Sequence, residues 1–295
     1  MKFITVFTPA YNRAYCLARV YESLLKQTNQ NFIWLIVDDG STDNTKELVA
    51  GWVNEQKLVI KYIYKANGGM HTAHNAAYKN IDTELNVCID SDDFMPISAI
   101  QNIFENWQKV KNNEAIAGLV GLDETIDGNL IGTKFKNEFI PTTLIDFYYK
   151  QGGAGDKKLV LRNKLTKAYP SYPEYSEERL VPLDTLYVLI CRDYKLMPVN
   201  QIWCTVDYQQ DGSSATIINQ YFKSPKGFRY AREISMKYSN VFKLKLRNAI
   251  HYNISSFIIG DKLKIIFSPV PLFTILCAPL SYVCFLYLKN KNNRR

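Results

Sequence analysis

The residues best suited to chemistry are the four at positions 90–93, AspSerAspAsp, which place three carboxylates at one point of the chain. They follow LeuAsnValCysIle, an apolar run whose composition predicts a buried strand. Two carboxylates about 4 Å apart repel each other by about 4 kcal/mol at an effective dielectric constant of about 20, and a divalent cation would relieve that repulsion. Oxygen ligands favour magnesium or manganese. A solvated turn that caps the next helix is the alternative for these four residues taken alone.

A second acidic turn, ValAspAspGlySerThrAsp at 37–43, also follows an apolar run. The carboxylate of Asp39 could accept a hydrogen bond from the imide N–H of a uracil or thymine ring. Asp43 is better placed to cap the helix that we predict to begin near Thr42. Taken alone, the same pattern also describes an ordinary turn with a capped helix.

A third motif, AsnGlyGly at 67–69, precedes another predicted helix. Gly68 and Gly69 would let the backbone approach a phosphate group closely at the start of that helix. An ordinary loop is the alternative.

The residues around these motifs predict an α/β fold, because short β-rich runs alternate with segments of helical period. Repeated strand and helix units imply a mostly parallel sheet. In open parallel sheets ligands bind beyond the carboxyl ends of the strands, and all three motifs fall there. The predicted strands are Phe3–Thr8, Phe32–Val37, Val59–Tyr64 and Leu85–Ile89; the predicted helices are one that buries Leu17, Val20, Tyr21 and Leu24, then Thr42–Asn54, Thr72–Lys79 and one after Pro96.

Together with the opening PheThrProAlaTyrAsn, the motifs give the sequence a resemblance to family 2 glycosyltransferases of the GT-A fold, which build bacterial capsules, exopolysaccharides and O-antigens. The resemblance covers residues 1–125. Further on, AspTyrGlnGlnAspGlySerSer at 207–214 resembles a late motif of one polysaccharide subgroup. That subgroup usually has lysine where Met70 stands, which weakens any charged contact to a diphosphate there.

The resemblance implies a nucleotide-sugar donor, with UDP-sugars favoured, and a bound manganese or magnesium ion. Asp92 would be the principal metal ligand, Asp90 would face the ribose or the metal, and Asp93 would support them. As a Lewis acid, the ion would stabilise the departing nucleoside diphosphate. The residues implied for nucleotide-sugar binding are Pro9, Tyr11, Asp39, Asn67, Gly68, Gly69 and Asp90.

The resemblance also implies an inverting transfer, in which a carboxylate deprotonates the acceptor hydroxyl. The family supplies this base from an acidic pair at the start of a helix. We favour Asp184, which opens an apolar helical segment just after Pro182, although its partner position is Leu183. Glu177 and Glu178 are the alternative bases, and a plain helix cap is the alternative role for Asp184.

The C-terminal region differs from the rest of the chain in charge and in hydropathy. Residues 221–295 contain 14 of the 36 Lys and Arg residues but only two of the 28 Asp and Glu residues. Residues 265–288 are 24 consecutive residues without a charge, long enough in principle to cross a bilayer core of about 30 Å. Three prolines interrupt this run, and lysines flank both of its ends.

Helix-breaking prolines and basic residues at both ends favour a re-entrant or interfacial helical hairpin over one straight span. The neighbouring basic residues would be attracted to anionic lipid. A buried core hairpin is the alternative. Basic clusters can also bind nucleic acid, but the adjacent apolar run favours a membrane partner instead. Such attachment fits an acceptor saccharide that is linked to polyprenyl diphosphate.

The six scattered cysteines favour a reducing compartment, and the N-terminus does not read as a secretory leader. We therefore expect the cytoplasmic face of a membrane, with peripheral or monotopic attachment. The predicted organisation is a GT-A domain over residues 1–215, with a nucleotide-sugar half at 1–120 and an acceptor half at 121–215, then a basic helical extension at 216–262 and a membrane-associated tail at 263–295.

The sequence therefore predicts an inverting glycosyltransferase that moves a sugar to a lipid-linked saccharide in surface polysaccharide synthesis. A catalytically inactive scaffold that binds sugar nucleotides is the alternative, because Met70 and Leu183 depart from the family pattern. A nucleotidyltransferase is disfavoured, because the turn after the first strand lacks a Gly-rich loop bearing Arg or Lys.

Overall fold

The computed structural model describes residues 2–207 and 217–293. Contacts divide the chain into two compact units. The first unit comprises Met1–Gly68, Thr72–Ser171 and Asp193–Gln209, and the second comprises Gly69–His71, Tyr172–Arg192 and Gln210–Arg295. Residues 172–192 thus group with the C-terminal helices, whereas the sequence had assigned them to the acceptor half of one domain.

The first unit is built on a sheet that contains seven strands within the described residues, in the order β3-β2-β1-β4-β6-β5-β7. Strands β1 to β4 are mutually parallel wherever they pair, β6 is antiparallel to β4 and β5, and β7 is parallel to β5. The predicted mostly parallel sheet is confirmed, and its four predicted strands agree within two residues at each end. The strands are β1 (Ile4–Ala10), β2 (Phe32–Asp38), β3 (Ile60–Tyr64), β4 (Leu85–Cys88), β5 (Ile116–Thr125), β6 (Lys157–Arg162) and β7 (Lys195–Val206).

Helices cover this sheet because its central strands need apolar partners on both faces. Every residue of β1 is buried, as expected for a strand inside a parallel sheet. The rings of Tyr21 and Trp52 stack with centroids 4.5 Å apart, next to Trp34 of β2, which joins two helices to the sheet. The helices that begin in this part of the chain are α1 (Ala14–Leu25), α2 (Thr45–Glu55), α3 (Met70–Asn80), α4 (Ala99–Val110), α5 (Leu144–Tyr149) and α6 (Asn163–Ala168).

The second unit is helical in its described residues. Its helices α9, α10 and α11 pack in sequence, α9 on α10 and α10 on α11. A 3-10 helix at Lys262–Ile265 connects the last two. The helices are α7 (Asp184–Asp193), α8 (Ile217–Lys223), α9 (Pro225–Tyr238), α10 (Phe242–Ile259) and α11 (Pro271–Asn293).

Within the uncharged C-terminal run, residues 271–288 lie in one helix, α11, and do not form the hairpin that the prolines had suggested. Pro269 precedes α11 and Pro271 is its first residue, so neither removes a hydrogen bond that the helix would otherwise form. Pro279 alone lies inside the helix. By length and composition alone, Pro271–Asn292 could cross a membrane, and most of this segment is not buried against the rest of the chain.

The first unit should tolerate added volume very differently at two of its glycines. A Cβ at Gly121 of β5 would lie 2.3 Å from the Trp203 ring, whereas a Cβ at Gly51 of α2 would have no atom within 4 Å. We expect Gly121→Ala to lower the free energy of unfolding by about 1–3 kcal/mol through overpacking. The control, Gly51→Ala, should raise it by about 0.5–1 kcal/mol through helix propensity. Urea denaturation measures both, and equal effects would contradict this packing.

Candidate functional site

Three loops meet at one edge of the sheet because strand β1 lies between β2 and β4. Ala10 of β1 is paired with Asp38 of β2, and Phe7 is paired with Cys88 of β4, so the carboxyl ends of these strands are neighbours. The loops that follow β1, β2 and β4 carry the end of PheThrProAlaTyrAsn, the AspAspGlySerThrAsp turn and the AspSerAspAsp turn, and they precede helices α1, α2 and α4. The parallel pairing therefore brings together residues that are far apart in the sequence.

Asn12 ties the first two loops to each other. Its backbone has a left-handed conformation, with φ of 52°, which asparagine tolerates better than most residues. Its side-chain oxygen accepts hydrogen bonds from the backbone N–H groups of Thr42 (2.7 Å) and Asp43 (3.3 Å), and its own N–H donates to Ser41 Oγ (2.9 Å). Sequence reasoning included Asn12 in a motif but gave it no role; an asparagine after a strand was the available signal.

Two carboxylates of the second turn hold the backbone. Asp38 accepts hydrogen bonds from the N–H of Ser41 (2.7 Å) and from the Tyr62 hydroxyl (2.5 Å). Asp43 accepts from the N–H groups of Thr45 and Ala14, each at 3.1 Å, so it caps the starts of α2 and α1. Burial opposes ionisation of Asp43, but these hydrogen bonds outweigh it and lower its pKa. The capping role predicted for Asp43 is confirmed.

Asp39 is buried and joins the second loop to the AsnGlyGly loop. Its Oδ1 accepts from the Lys65 ammonium and from the N–H of Gly68 (2.9 Å), and its carbonyl accepts from Asn67 Nδ2 (2.9 Å). Asn67 and Gly68 thus lie beside Asp39, as expected for one binding region. Lys65, which ends up next to Asp39, was missed because a lysine after an edge strand is common on protein surfaces.

The two glycines of this loop are also required by packing within the chain. A Cβ at Gly68 would lie 2.5 Å from Thr72 Oγ1. Gly69 has a φ of 93°, and a Cβ there would lie 1.9 Å from the carbonyl oxygen of Arg179. The role of this loop in phosphate binding stays a prediction, because the local structure alone accounts for both glycines.

The other residues expected near the nucleotide differ in accessibility. Pro9 is buried at the end of β1, whereas the Tyr11 side chain is 48% exposed in the loop that follows. Tyr11 is therefore available to a ligand, and Pro9 would act through the shape of the loop.

The carboxylates of the AspSerAspAsp turn differ in their surroundings. Asp93 is buried, and it accepts hydrogen bonds from the N–H of Asp207 (3.2 Å) and from the Cys204 thiol (3.6 Å). Burial raises the pKa of Asp93 to about 7, against the opposing effect of Lys158. These contacts anchor the turn to strand β7, which is a structural role for Asp93.

Asp90 and Asp92 are half-buried and accessible to a ligand. Burial and the neighbouring charge of Asp90 raise the pKa of Asp92. In the described part of the chain, no three His, Cys, Asp or Glu side chains converge as a metal site. Two accessible carboxylates that repel each other nevertheless suit a hard divalent cation whose remaining ligands come from phosphate oxygens and water. Asp90 and Asp92 would hold that ion.

A lysine that the sequence did not single out faces this acidic region. Lys158 lies on β6, which pairs with both β4 and β5. Burial alone would lower its pKa, but nearby anionic groups, among them Asp123, Asp90 and Asp93, outweigh burial and raise it. Lys158 therefore carries a positive charge beside the predicted metal ligands. Its position depends on strand pairing, which no local pattern reveals.

The predicted bases occupy three different environments in the second unit. Glu178 is buried and accepts from the N–H groups of Lys226 (3.0 Å) and Gly227 (2.8 Å), so it caps the start of α9. Glu177 is exposed. Asp184 is the first residue of α7, and its side chain is accessible to solvent. The bulk of protein around it nevertheless desolvates the carboxyl and raises its pKa, while Arg232 and Arg247 oppose the shift.

The late motif at 207–214 lies outside the described residues except for Asp207. Asp207 forms an ion pair with Arg19 of α1, and its N–H binds Asp93. The first residue of the motif is therefore in contact with the AspSerAspAsp turn.

The chain belongs to glycosyl transferase family 2, whose sequence profile it matches over residues 5–155. The family that the sequence had predicted is confirmed. It is similar to the uncharacterized glycosyltransferase alr2836 of Nostoc, with 33% identity over 43% of this chain and 38% of that protein. It is also similar to the glycosyltransferase GlyG of Streptococcus pneumoniae, with 31% identity over 43% of this chain and 42% of that protein. The matched stretch spans about two fifths of these relatives.

Solved structures confirm the GT-A fold. Staphylococcus aureus TarS, in complex with UDP-GlcNAc, superposes with a TM-score of 0.63 at 18% identity, over 86% of this chain and 72% of that one. The mannosyltransferase PcManGT of Pyrobaculum calidifontis, in complex with GDP-Man and Mn²⁺, gives a TM-score of 0.56 at 14% identity, over 98% and 83% of the two chains.

Asp123 of β5 should make stability depend on pH. Its side chain is 2% exposed, and its Oδ1 has no hydrogen-bond partner within residues 2–207 and 217–293. Burial raises the pKa of Asp123 to about 6, against about 3.9 in an unfolded chain. Between these values the folded state binds the extra proton, so the free energy of unfolding falls as the pH rises.

We expect Asp123→Asn to remove this loss. The variant should be more stable than the parent by about 1–3 kcal/mol at pH 7.5, with the difference shrinking towards pH 4.5. The exposed Asp127, changed to asparagine, is the matched control and should show no such trend. Denaturant unfolding at the two pH values measures the difference, and a gain that does not depend on pH would contradict this account.

Proposed function

We propose that this protein is an inverting glycosyltransferase that uses a nucleotide-sugar, with a UDP-sugar as the first candidate, and a lipid-linked saccharide acceptor in surface polysaccharide synthesis. The observation that carries the proposal is the position of Asp90 and Asp92 beside the loops of Tyr11 and Asp39, at the carboxyl ends of adjacent parallel strands. Ligands of open α/β sheets bind at this edge. Membership of glycosyl transferase family 2 supports the same site.

Donor binding is assigned to the first unit. The nucleoside would bind at the loop of Tyr11, and Asp39 and Asn67 would line the same region. Asp90 and Asp92 would hold the divalent ion, which supplies Lewis-acid stabilisation to the leaving diphosphate when bound. Lys158 would keep the anionic turn from repelling the donor, because it adds a positive charge beside those carboxylates.

Proton removal from the acceptor is assigned to Asp184. Of the three candidates, Glu178 caps the start of α9. Glu177 and Asp184 are both exposed, but only Asp184 has a raised pKa. A raised pKa makes a carboxylate a stronger base, and that suits deprotonation of a hydroxyl as it attacks. Glu177 and Glu178 stay as alternatives for mutagenesis.

Membrane attachment is assigned to helix α11. A helix on a water-facing surface exposes polar side chains and buries apolar ones, and α11 has the opposite arrangement. Its outer face exposes large apolar side chains, including Leu276 (71%) and Val283 (63%). Its inner face buries Thr274 and Ser281. Asn253 Nδ2 of α10 donates to the backbone carbonyl oxygen of Thr274 at 2.7 Å and to Ser281 Oγ at 3.2 Å. Lysines stand near both ends of this apolar face, namely Lys262, Lys264, Lys289 and Lys291.

This arrangement supports peripheral or monotopic attachment to an anionic cytoplasmic leaflet, where the apolar face enters the interface and the lysines meet lipid headgroups. A saccharide acceptor linked to polyprenyl diphosphate would be presented at the same surface. The acceptor and the membrane partner are therefore proposed together.

The first test is calorimetric titration with UDP, with and without manganese. We expect manganese-dependent UDP binding by the parent protein and its loss in Asp92→Ala, because Asp92 would hold the metal. Asp127→Asn, a change to an exposed carboxylate, is the control and should bind like the parent. Absence of UDP binding would redirect the donor to GDP- or dTDP-sugars, and retention of manganese-dependent binding in Asp92→Ala would refute the proposed metal site.

The alternative is a scaffold that binds a sugar nucleotide without turning it over. Met70 and Leu183, where the sequence departs from the family pattern, favour this alternative. Asp92→Ala separates the two functions in the cell, because a scaffold would still support polymer synthesis with this substitution, whereas a transferase would not.

Attachment through α11 predicts loss of vesicle binding when its outer face is charged. We expect Leu276→Glu with Val283→Glu to reduce flotation with phosphatidylglycerol vesicles at least tenfold, because two exposed apolar side chains no longer enter the interface. The same substitutions at Val53 and Val59, which are exposed at 41% and 50% in the first unit, are the matched control and should leave flotation unchanged. Equal effects of the two pairs would contradict this attachment.

A further inference from the structure

Lys65 places its ammonium group inside the loops to which the proposed function assigns the nucleoside. It follows strand β3 directly, and its side chain is half-buried. Its Nζ donates to Asp39 Oδ1, to the carbonyl oxygen of Ala66 (2.7 Å) and to Thr72 Oγ1 (2.7 Å). Because an ammonium group has three hydrogens to donate, groups of the chain itself account for all of them.

These hydrogen bonds distinguish Lys65 from a lysine that binds phosphate. A phosphate-binding lysine reaches its ligand as a mobile point charge at the end of a flexible stem. The ammonium of Lys65 is instead held against a carboxylate, and the lack of a side chain at Gly68 leaves room for it. A Cβ at Gly68 would lie 3.0 Å from Lys65 Nζ. The contacts of Lys65 therefore favour a role in holding Asp39 over a role in binding the diphosphate.

Asp39 is fixed through both its backbone and its side chain. Its N–H donates to the carbonyl oxygen of Ala10 at 2.8 Å, and its own carbonyl accepts from Asn67 Nδ2 at 2.9 Å. Its Oδ1 accepts from Lys65 and from the N–H of Gly68 (2.9 Å). A carboxylate has about four lone-pair positions, so these bonds do not exhaust it. Paired with an ammonium, it is ionised at neutral pH and can only accept hydrogen bonds.

The Asp39 carboxylate has little exposure to solvent. Its side chain is 5% exposed, whereas Tyr11, in the loop that Asn12 ties to the same turn, is exposed. Low exposure suits a group that meets the edge of a flat ring, because water competes weakly for the hydrogen bond there. It also makes a mismatch costly, since a ring nitrogen with a lone pair would face the carboxylate with no hydrogen between them.

We propose that Lys65 is a positioning residue that holds Asp39 as an acceptor only, so that the nucleotide-sugar must carry a base with a hydrogen on the ring nitrogen of its pairing edge. This inference rests on the proposed function and names the class of nucleotide that the site accepts. Uracil, thymine and guanine have that hydrogen, whereas cytosine and adenine have a lone pair there. The amino group of cytosine or adenine is a donor, but the fixed carboxylate would meet it with that lone pair alongside.

Nucleoside diphosphates that differ only in the base are the probes that test this selection. Calorimetric titration of the full-length protein with manganese compares UDP with CDP, dTDP with dCDP, and GDP with ADP, so that metal and diphosphate contribute equally within each pair. For the base that the site accepts, we expect the parent protein to bind the member with the ring hydrogen about tenfold or more tightly than its partner. Lys65→Met keeps the length of the side chain but removes its charge and its hydrogens, and the preference should fall to about threefold or less.

Two further variants complete the test. Lys61→Met is the matched control, because Lys61 lies on β3 itself, is exposed and has its Nζ 4.0 Å from Asp82. It should keep the preference of the parent protein. Asp39→Asn decides the matter if Lys65→Met does not fold, since it keeps the size of the side chain and replaces an acceptor with a donor. Its preference should fall as in Lys65→Met.

The outcomes separate this inference from the proposed function. An equal loss of affinity for both members of the pair in Lys65→Met would assign this lysine to the diphosphate and overturn the inference. An unchanged preference in that variant would also overturn it. Equal binding of the two members by the parent protein would overturn the inference alone, because a nucleotide still binds. Absence of binding by all six nucleotides would overturn the inference and count against the transferase as well.

Discussion

The parallel pairing of β1 with β2 on one side and β4 on the other is the constraint on which the site depends. Because side chains alternate along a strand, a shift of the pairing by one residue would turn the buried side chains of β1 towards the wrong face. Correct pairing places the three loops side by side, and Asn12 and Asp39 then join them by hydrogen bonds to backbone groups. The loops are thus positioned by the core of the sheet.

Hydrogen bonding to the chain divides the acidic residues of these loops into two kinds. The carboxylates of Asp38, Asp43 and Asp93 accept hydrogen bonds from backbone N–H groups of the chain itself. Asp90 and Asp92 stay accessible to a ligand. Much of the motif therefore builds the loop, and a smaller part of it faces the ligand. The same holds for Glu178, whose carboxylate completes the start of α9.

The first 120 residues could be predicted well from the sequence because their signals are local. An apolar run such as Phe32–Val37 followed by AspAspGlySerThrAsp defines a strand, a turn and a helix start within a few residues. Lys65 and Lys158 could not be predicted, since each reaches its carboxylates only through strand pairing. The C-terminal helix was mispredicted for a different reason: the prolines were counted by number, whereas their effect depends on position within the helix.

The seam between α10 and α11 has a consequence for how the protein behaves in two solvents. Asn253 bridges to Thr274 and Ser281 across that seam. All three residues are fully buried, so water does not compete for these hydrogen bonds in the folded unit. If the helices separated in hydrocarbon, the same polar groups would be left without partners, which is more costly than separation in water. We therefore expect the contact between α11 and α10 to be more stable when lipid covers α11. A bilayer that surrounds α11 would thereby stabilise the helix pair. The second unit would then be most rigid when it is bound to a membrane.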